Sequence, residues 1–321
     1  MRAWVQDAEE ERAVVSDTPE HFPGHDGGYW RPAPTEIVAS WPAGHFAENL
    51  AVSEAGDVFV SLHSHSRIER YRVNSGALSL FAQLPAPVAG LAFDRTGVLW
   101  ATGGDVGRPP GYVWRVWPDG TFDLWAEIPD ALFMNGCALH SDGRSLLICE
   151  SVTGRVLKAD MDEHTWQPWI GDDRLRPTNP QMPGVNGIKL FGNWAYLSVT
   201  DSNRIFRVAV QPDGSAGPLS LCAENLRADD FAFSVSGSLY VATHPAQTVM
   251  CLGPDGRRTT LAGPAEGAVG STACAFGRTK DDRTALYVTT CGGIYAPYRG
   301  VLQQAKLLRL QVGEAGAPVP A

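Results

Sequence analysis

The sequence predicts an all-β protein, a six-bladed β-propeller closed by an N-terminal strand. Three observations carry the prediction. Six segments repeat one plan at intervals of roughly forty to fifty residues, the period of a propeller blade. Each segment is built from short alternating apolar runs separated by Gly-rich turns, the pattern of half-buried strands. Pro-Asp-Gly recurs at one phase of the repeat, at Pro118–Gly120, Pro212–Gly214 and Pro254–Gly256. Proline presets such a turn and glycine relieves its end, so these are expected to lead into the outer strand of a blade. An eight-stranded barrel or a sandwich would leave six aligned repeats unexplained.

The elements follow in order. Residues 1–33 are expected to be an N-terminal extension, and residues 34–312 the propeller. "TEIVASW", Thr35–Trp41, alternates like a strand but precedes the first repeat. The six repeats begin at Glu48, Ala89, Asn135, Asn186, Asp229 and Thr272. The last ends near Val312 without an obvious fourth strand, so Thr35–Trp41 is expected to supply it and close the ring. Residues 313–321 read as a loose tail.

Bulk properties narrow the function classes. The chain has 321 residues, of which 44% are hydrophobic, enough for a sizeable core, and its 34 Gly and 23 Pro favour short strands over long helices. A net charge of −9 and no block of Lys or Arg argue against nucleic acid and anionic membrane as partners. The expected partner is a small-molecule substrate or a cation, and the expected state a monomer or small homo-oligomer. The six cysteines include no C-x-x-C pair and several sit in apolar runs, so they read as reduced, buried thiols. The first residues lack a basic region followed by an apolar one, and no run is long enough to span a bilayer, so a cytoplasmic protein is expected. No Gly-x-Ser-x-Gly elbow, phosphate-binding loop or dinucleotide fingerprint is present.

The first residues of the repeats carry the functional argument. In a propeller the innermost strands run along the central channel, so these residues ring one mouth of it: Glu48, Ala89, Asn135, Asn186, Asp229 and Thr272. Asn-Gly is a common turn dipeptide, but four oxygen-bearing side chains at one phase of the repeat point to a shared site. In "ADDFAF" either Asp229 or Asp230 could join it; Phe231 and Phe233 keep the apolar phase if Asp229 is first. Two carboxylates and two amides converging without a counter-charge would be costly. A hard divalent cation resolves the cost. Calcium is the first expectation, with magnesium, manganese and zinc as alternatives.

At these residues the sequence resembles the senescence marker protein/gluconolactonase/luciferin-regenerating enzyme superfamily of six-bladed propellers, over about residues 35–312. The resemblance implies that Glu48, Asn135, Asn186 and Asp229 hold a divalent cation on the channel axis, and that Asp229 is also general base or nucleophile. Within the superfamily "ENLAV", "GVNGIK", "DDFAF" and "AFGRT" look most similar to the fungal branch containing hetero-Diels–Alderases. The expected function is therefore a metal-dependent hydrolase of a lactone or related ester. The alternatives are a non-hydrolytic cyclase or lyase of secondary metabolism and a non-enzymatic ligand-binding propeller.

The loops after the second strand of each blade open on the same mouth. They place His63, His65, Asp105, Glu150, Asp201, Tyr295 and Tyr298, with Thr272 of the ring, as candidate substrate contacts. The second and sixth loops, residues 102–111 and 289–300, are the longest and are expected to form walls. His63 and His65 would share a face if their segment were a strand, but no third metal ligand lies nearby in sequence. His244, just after the second strand of blade five, is the candidate proton carrier. Glu150 and Asp201 are also the kind of loop carboxylates that cap turns.

Overall fold

The computed structural model describes residues 29–318. Most of the expected N-terminal extension, residues 1–28, and the last three residues lie outside the described range. Two strands precede the repeats, β1 (Tyr29–Trp30) and β2 (Thr35–Ala43). Blade one holds β3 (Ala47–Val52), β4 (Val58–Leu62), β5 (Arg67–Arg72) and β6 (Ala77–Gln83). Blade two holds β7 (Val88–Phe93), β8 (Leu99–Gly103), β9 (Gly111–Val116) and β10 (Phe122–Ile128). Blade three holds β11 (Met134–Leu139), β12 (Ser145–Glu150), β13 (Arg155–Asp160) and β14 (Thr165–Gly171). Blade four holds β15 (Val185–Phe191), β16 (Trp194–Val199), β17 (Arg204–Val210) and β18 (Ala216–Glu224). Blade five holds β19 (Phe231–Phe233), β20 (Leu239–Ala242), β21 (Val249–Leu252) and β22 (Arg258–Ala262), and blade six β23 (Ser271–Phe276), β24 (Ala285–Thr290) and β25 (Gln304–Gln311).

The blades are antiparallel meanders, and β2 pairs antiparallel with β25 as the fourth strand of blade six. The ring is therefore a six-bladed propeller closed by its N-terminal strand, which removes the edge that β25 would otherwise present. Two features go beyond the expectation. β1 adds a short parallel fifth strand to blade five beside β22. The segment after β25 is not loose within the described residues: Ala315 accepts from the Val235 amide, and the Ala317 amide donates to Phe233.

Burial follows position in the blade. Every residue of β3, β4, β12 and β24 is buried, whereas the outer β14 is largely exposed. The core is divided into six clusters, each between two neighbouring blades. Between blades two and three, for example, Trp100 and Trp125 meet edge to face at 5.6 Å and pack with Met134, Leu146 and Ile148. Each such side chain contributes about 1.5–3 kcal/mol by leaving water. The three Pro-Asp-Gly turns are built as the residues dictate. Gly120, Gly214 and Gly256 take positive φ, and the Asp before each accepts the amide of Thr121, Ser215 or Arg257.

Hydroxyl groups fasten the blades together near the axis. Ser61 donates to the Ala89 carbonyl at 2.7 Å, Thr102 to Asn135 at 2.5 Å, Ser151 to Val185 at 2.7 Å and Ser198 to Asp229 at 2.5 Å. Each is a bond from the second strand of one blade, or the residue just after it, to the innermost segment of the next. Between blades six and one the donor is Thr272, on the innermost strand itself, which bonds the Ala47 carbonyl at 2.6 Å. These bonds satisfy innermost-strand carbonyls that would otherwise be buried and unpaired. All six cysteines are free thiols, and Cys222 alone among them is exposed. Among the described residues no helix is long and apolar enough to cross a membrane.

Candidate functional site

The inner strands present their polar residues by a shared distortion. Pairing with the second strand slips between Ala47 and Asn49, between Met134 and Cys137, between Val185 and Ile188, and between Ser271 and Ala273. Those slips bracket Glu48, Asn135, Asn186 and Thr272. A bulge re-aims the side chain it carries, which is how a strand residue comes to face the channel mouth. The Asn-Gly pairs are therefore not turns. Gly136 and Gly187 do not adopt positive φ. They are glycine because the next blade crowds them: a Cβ on Gly136 would lie 2.6 Å from the Asn186 carbonyl oxygen, and one on Gly187 2.6 Å from Asp230 Oδ1.

The hydroxyl bonds also orient the two amides. Ser151 commits its proton to the Val185 carbonyl, so its oxygen can only accept, and Asn135 Nδ2 donates to it at 3.2 Å. Thr200 likewise donates to Ala228 and accepts from Asn186 Nδ2 at 3.0 Å. Asn186 Nδ2 makes a second bond, to Asp229 Oδ1, at 2.7 Å. With both nitrogens engaged, Oδ1 is the end of each amide left to meet a ligand.

The adjacent carboxylates of blade five have different fates. Asp230 is ion-paired with Lys189 at 2.6 and 2.7 Å, and also accepts from Asn49 Nδ2 and the Phe231 amide. Asp229 faces Asn186 and His244 instead. Glu48 and Asp229 are both nearly excluded from solvent. Burial, together with the negative charge of Asp230, pushes the Glu48 carboxyl up to about 8. Asp229 is raised well above its usual range by burial, then by the charges of Glu48 and Asp230. Two acids held this way are short of positive charge.

His244 lies against the ring. Its Nδ1 is 3.6 Å from Asp229 Oδ2 and its Nε2 3.5 Å from Cys291 Sγ. Burial lowers its pKa to about 4, so the ring is neutral at physiological pH and the Asp229 approach is a near contact rather than an ion pair. Phe46 stands edge-on to both His244 and His63, with centroids at 6.0 and 6.1 Å. Tyr295 packs on Phe46 and His244, and Phe133 on His63. Burial likewise lowers His63 to about 4, partly opposed by the charge of Asp105.

Other expected contacts are placed differently. His63–His65 form a 3-10 turn, so the two rings do not share a strand face; His65 stacks on His45 at 3.8 Å. Glu150 does not point into the mouth. It is fully buried and accepts from the amides of Leu132, Phe133 and Thr153 and from the Thr153 hydroxyl, holding its own loop. Asp201 accepts from the amides of Thr178 and Asn179 and from the Thr178 hydroxyl, bracing residues 177–184. Thr272 is spent on Ala47, and Tyr298 packs against Arg299 and bridges to Val301. Phe46 and Phe133 went unnoticed in the sequence, although each stands two residues before a ring residue. Cys291 was noted there only as a thiol.

Six blades in a ring, with two buried carboxylates and two oriented amides on their innermost segments, define a six-bladed propeller with buried polar side chains on its inner strands. Solved structures share the fold. A luciferin-regenerating enzyme superposes with a TM-score of 0.70 at 12% identity, covering 89% of this chain and 98% of that one. A calcium-binding regucalcin from Agrobacterium tumefaciens gives 0.68 at 16%, covering 91% and 97%. A gluconolactonase from Xanthomonas campestris gives 0.66 at 16%, covering 87% and 89%. In sequence, a Phoma sp protein named as a hetero-Diels–Alderase is 27% identical over 192 residues, 52% of this chain. The match spans about half, 54%, of that protein's length. No family model matches the chain.

Proposed function

We propose that the protein is a hydrolase of a lactone or related ester that works with a divalent cation held by Glu48, Asn135, Asn186 and Asp229. The observation that carries this is the pair of raised, buried carboxylates beside two amides whose oxygens are the free ends. Among the described residues no group of three or more His, Cys, Asp or Glu side chains forms a metal cluster. The four proposed side chains offer only oxygen donors, with a charge of −2 once both carboxyls are ionised, which suits calcium. A cation bound there would supply Lewis acidity toward a carbonyl oxygen. The regucalcin and gluconolactonase folds support this choice of metal and reaction.

The chain's own groups supply the proton chemistry. His244 is neutral at physiological pH and can accept a proton from an attacking water. Asp229 at 3.6 Å, ionised when it holds the cation, would stabilise the resulting imidazolium. Water adds to the carbonyl carbon, the ring C–O bond breaks as the imidazolium gives its proton to the leaving ring oxygen, and a hydroxy acid leaves. Phe46, Phe133 and Tyr295 restrict water at the mouth.

The Phoma relative supports a second reading, a non-hydrolytic cyclase that uses the same mouth as a shaped pocket. A panel of γ- and δ-lactones assayed with calcium and with chelator separates the two. Hydrolysis that chelator abolishes and Glu48→Gln cripples supports the first. No hydrolysis by a calcium-loaded protein would overturn it and favour the second.

A further inference from the structure

The walls above the ring differ in character from the ring itself. Phe46, Phe133 and Tyr295 form a continuous aromatic surface through the two histidines: Phe46 touches His63, His244 and Tyr295, and His63 touches Phe133. Phe46 and Phe133 are each 9% exposed, whereas Tyr295 is 52% exposed and forms the outer part of the wall. These side chains carry no ammonium or guanidinium group. A polyhydroxylated ligand needs several convergent donors and acceptors, because each buried hydroxyl left unpaired is penalised. The wall does not offer them. His244 has both nitrogens near protein atoms, Asp229 on one side and Cys291 on the other. His63 differs: its Nε2 is buried and has no hydrogen-bond partner among the described residues. The wall is therefore mainly aromatic, and His63 Nε2 is its buried polar atom without a hydrogen-bond partner among the described residues.

We infer that the site takes an uncharged substrate bearing a flat apolar or aryl group, which packs on Phe46, Phe133 and Tyr295 and has a single polar atom hydrogen-bonded to His63 Nε2. This names the substrate class for the mouth and rests on the proposed function for the reaction carried out there. Sugar-derived lactones, rich in hydroxyls, are the class it disfavours.

The test uses lactams, which keep the ring and carbonyl of a lactone but resist hydrolysis, so binding is read without turnover. Calorimetry on the full chain with calcium compares 2-pyrrolidinone, its 5-phenyl derivative and a polyhydroxylated δ-lactam. The phenyl compound is expected to bind at least tenfold more tightly than the other two. Phe46→Ala and Tyr295→Ala should each bring that preference down toward one, and Phe46→Leu, which keeps an apolar side chain, should erode it less. His63→Phe, which keeps a ring but removes Nε2, should weaken the phenyl and unsubstituted lactams by a similar factor. Equal or tighter binding of the polyhydroxylated lactam, or a preference untouched by both alanine variants, would overturn the inference. The parallel lactone assay separates this from the reaction: a phenyl preference among lactams with no lactone hydrolysis sinks hydrolysis alone. Hydrolysis that favours the sugar lactone sinks the substrate class alone.

Discussion

Substituting Gly187 by alanine tests whether the residue after Asn186 is a turn glycine or a spacer between blades. Its backbone is not in the left-handed region, so alanine adds no φ strain. The cost lies across the blade boundary, where the new Cβ would sit 2.6 Å from Asp230 Oδ1 and 2.8 Å from the Asp229 carbonyl oxygen. Ordinary carbon–oxygen contact would require blade five to recede by about 0.6–0.8 Å, and overpacking of this kind costs about 1–3 kcal/mol. The atoms that must move belong to Asp229 and Asp230, so metal binding should suffer with stability. Gly192 is the matched control. Its φ is +58° and nothing lies within 4 Å of its Cβ position, so alanine there should cost about 1–2 kcal/mol of backbone strain and leave the ring untouched. Urea unfolding gives the stability of both variants and calcium calorimetry gives the binding. Gly187→Ala should lose on both measures and Gly192→Ala on stability alone. A Gly187→Ala protein with wild-type stability and affinity would refute the crowding argument.

Other consequences are equally concrete. Thr102→Val removes the donor to the Asn135 carbonyl and leaves that acceptor buried, which should cost about 1–3 kcal/mol in urea unfolding; no change would mean that the hydroxyl fastenings are incidental. A chain starting at residue 44 loses β2 and exposes β25 as an unpaired edge, so it should aggregate on size exclusion. A chain starting at residue 31 loses β1 but no other strand of the described residues and should stay folded, and a well-behaved fragment from residue 44 would refute closure by β2. Glu48 carries a folded pKa of about 8 against 4.5 in the unfolded chain, so the metal-free native state holds a proton that the unfolded state has released between those values. Its stability should therefore fall as pH rises from about 4.5 to 8, with Asp229 acting in the same direction. Calcium competes with those protons, so its stabilising effect in thermal melts should grow across that window; a calcium effect independent of pH would contradict the assignment.

The parts of this molecule written as periodic apolar patterns were legible in its sequence. The six repeats, the Pro-Asp-Gly turns and the closure by Thr35–Trp41 all follow from alternation and turn chemistry, which act locally. The placing of Glu48, Asn135, Asn186 and Asp229 on the innermost segments was legible because a repeat sets equal phases at equal positions in each blade. What escaped depends on direction rather than position. Glu150 and Asp201 could be read either as substrate contacts or as turn caps, and only the structure shows that they spend their oxygens on backbone amides. His63 and His65 are diverted from one another by a 3-10 turn. The fastenings by Ser61, Thr102, Ser151 and Ser198 appear in sequence only as small polar residues at strand ends, because their acceptors lie in the next blade. The docking of residues 315–317 on blade five is a backbone interaction that side-chain patterns do not record.

Calcium titration by calorimetry tests most directly whether Glu48, Asn135, Asn186 and Asp229 form one divalent-cation site. The wild-type chain should bind about one ion, and Asn186→Ala should weaken it by about tenfold to a thousandfold, or about 1.4–4 kcal/mol. Glu48→Gln, which removes one of two charges, should weaken it at least as much. Asn186→Asp, which adds a carboxylate, should bind calcium as tightly as the wild type or more so. A wild-type chain that gives no binding heat, or Asn186→Ala and Glu48→Gln variants that bind as it does, would contradict the account.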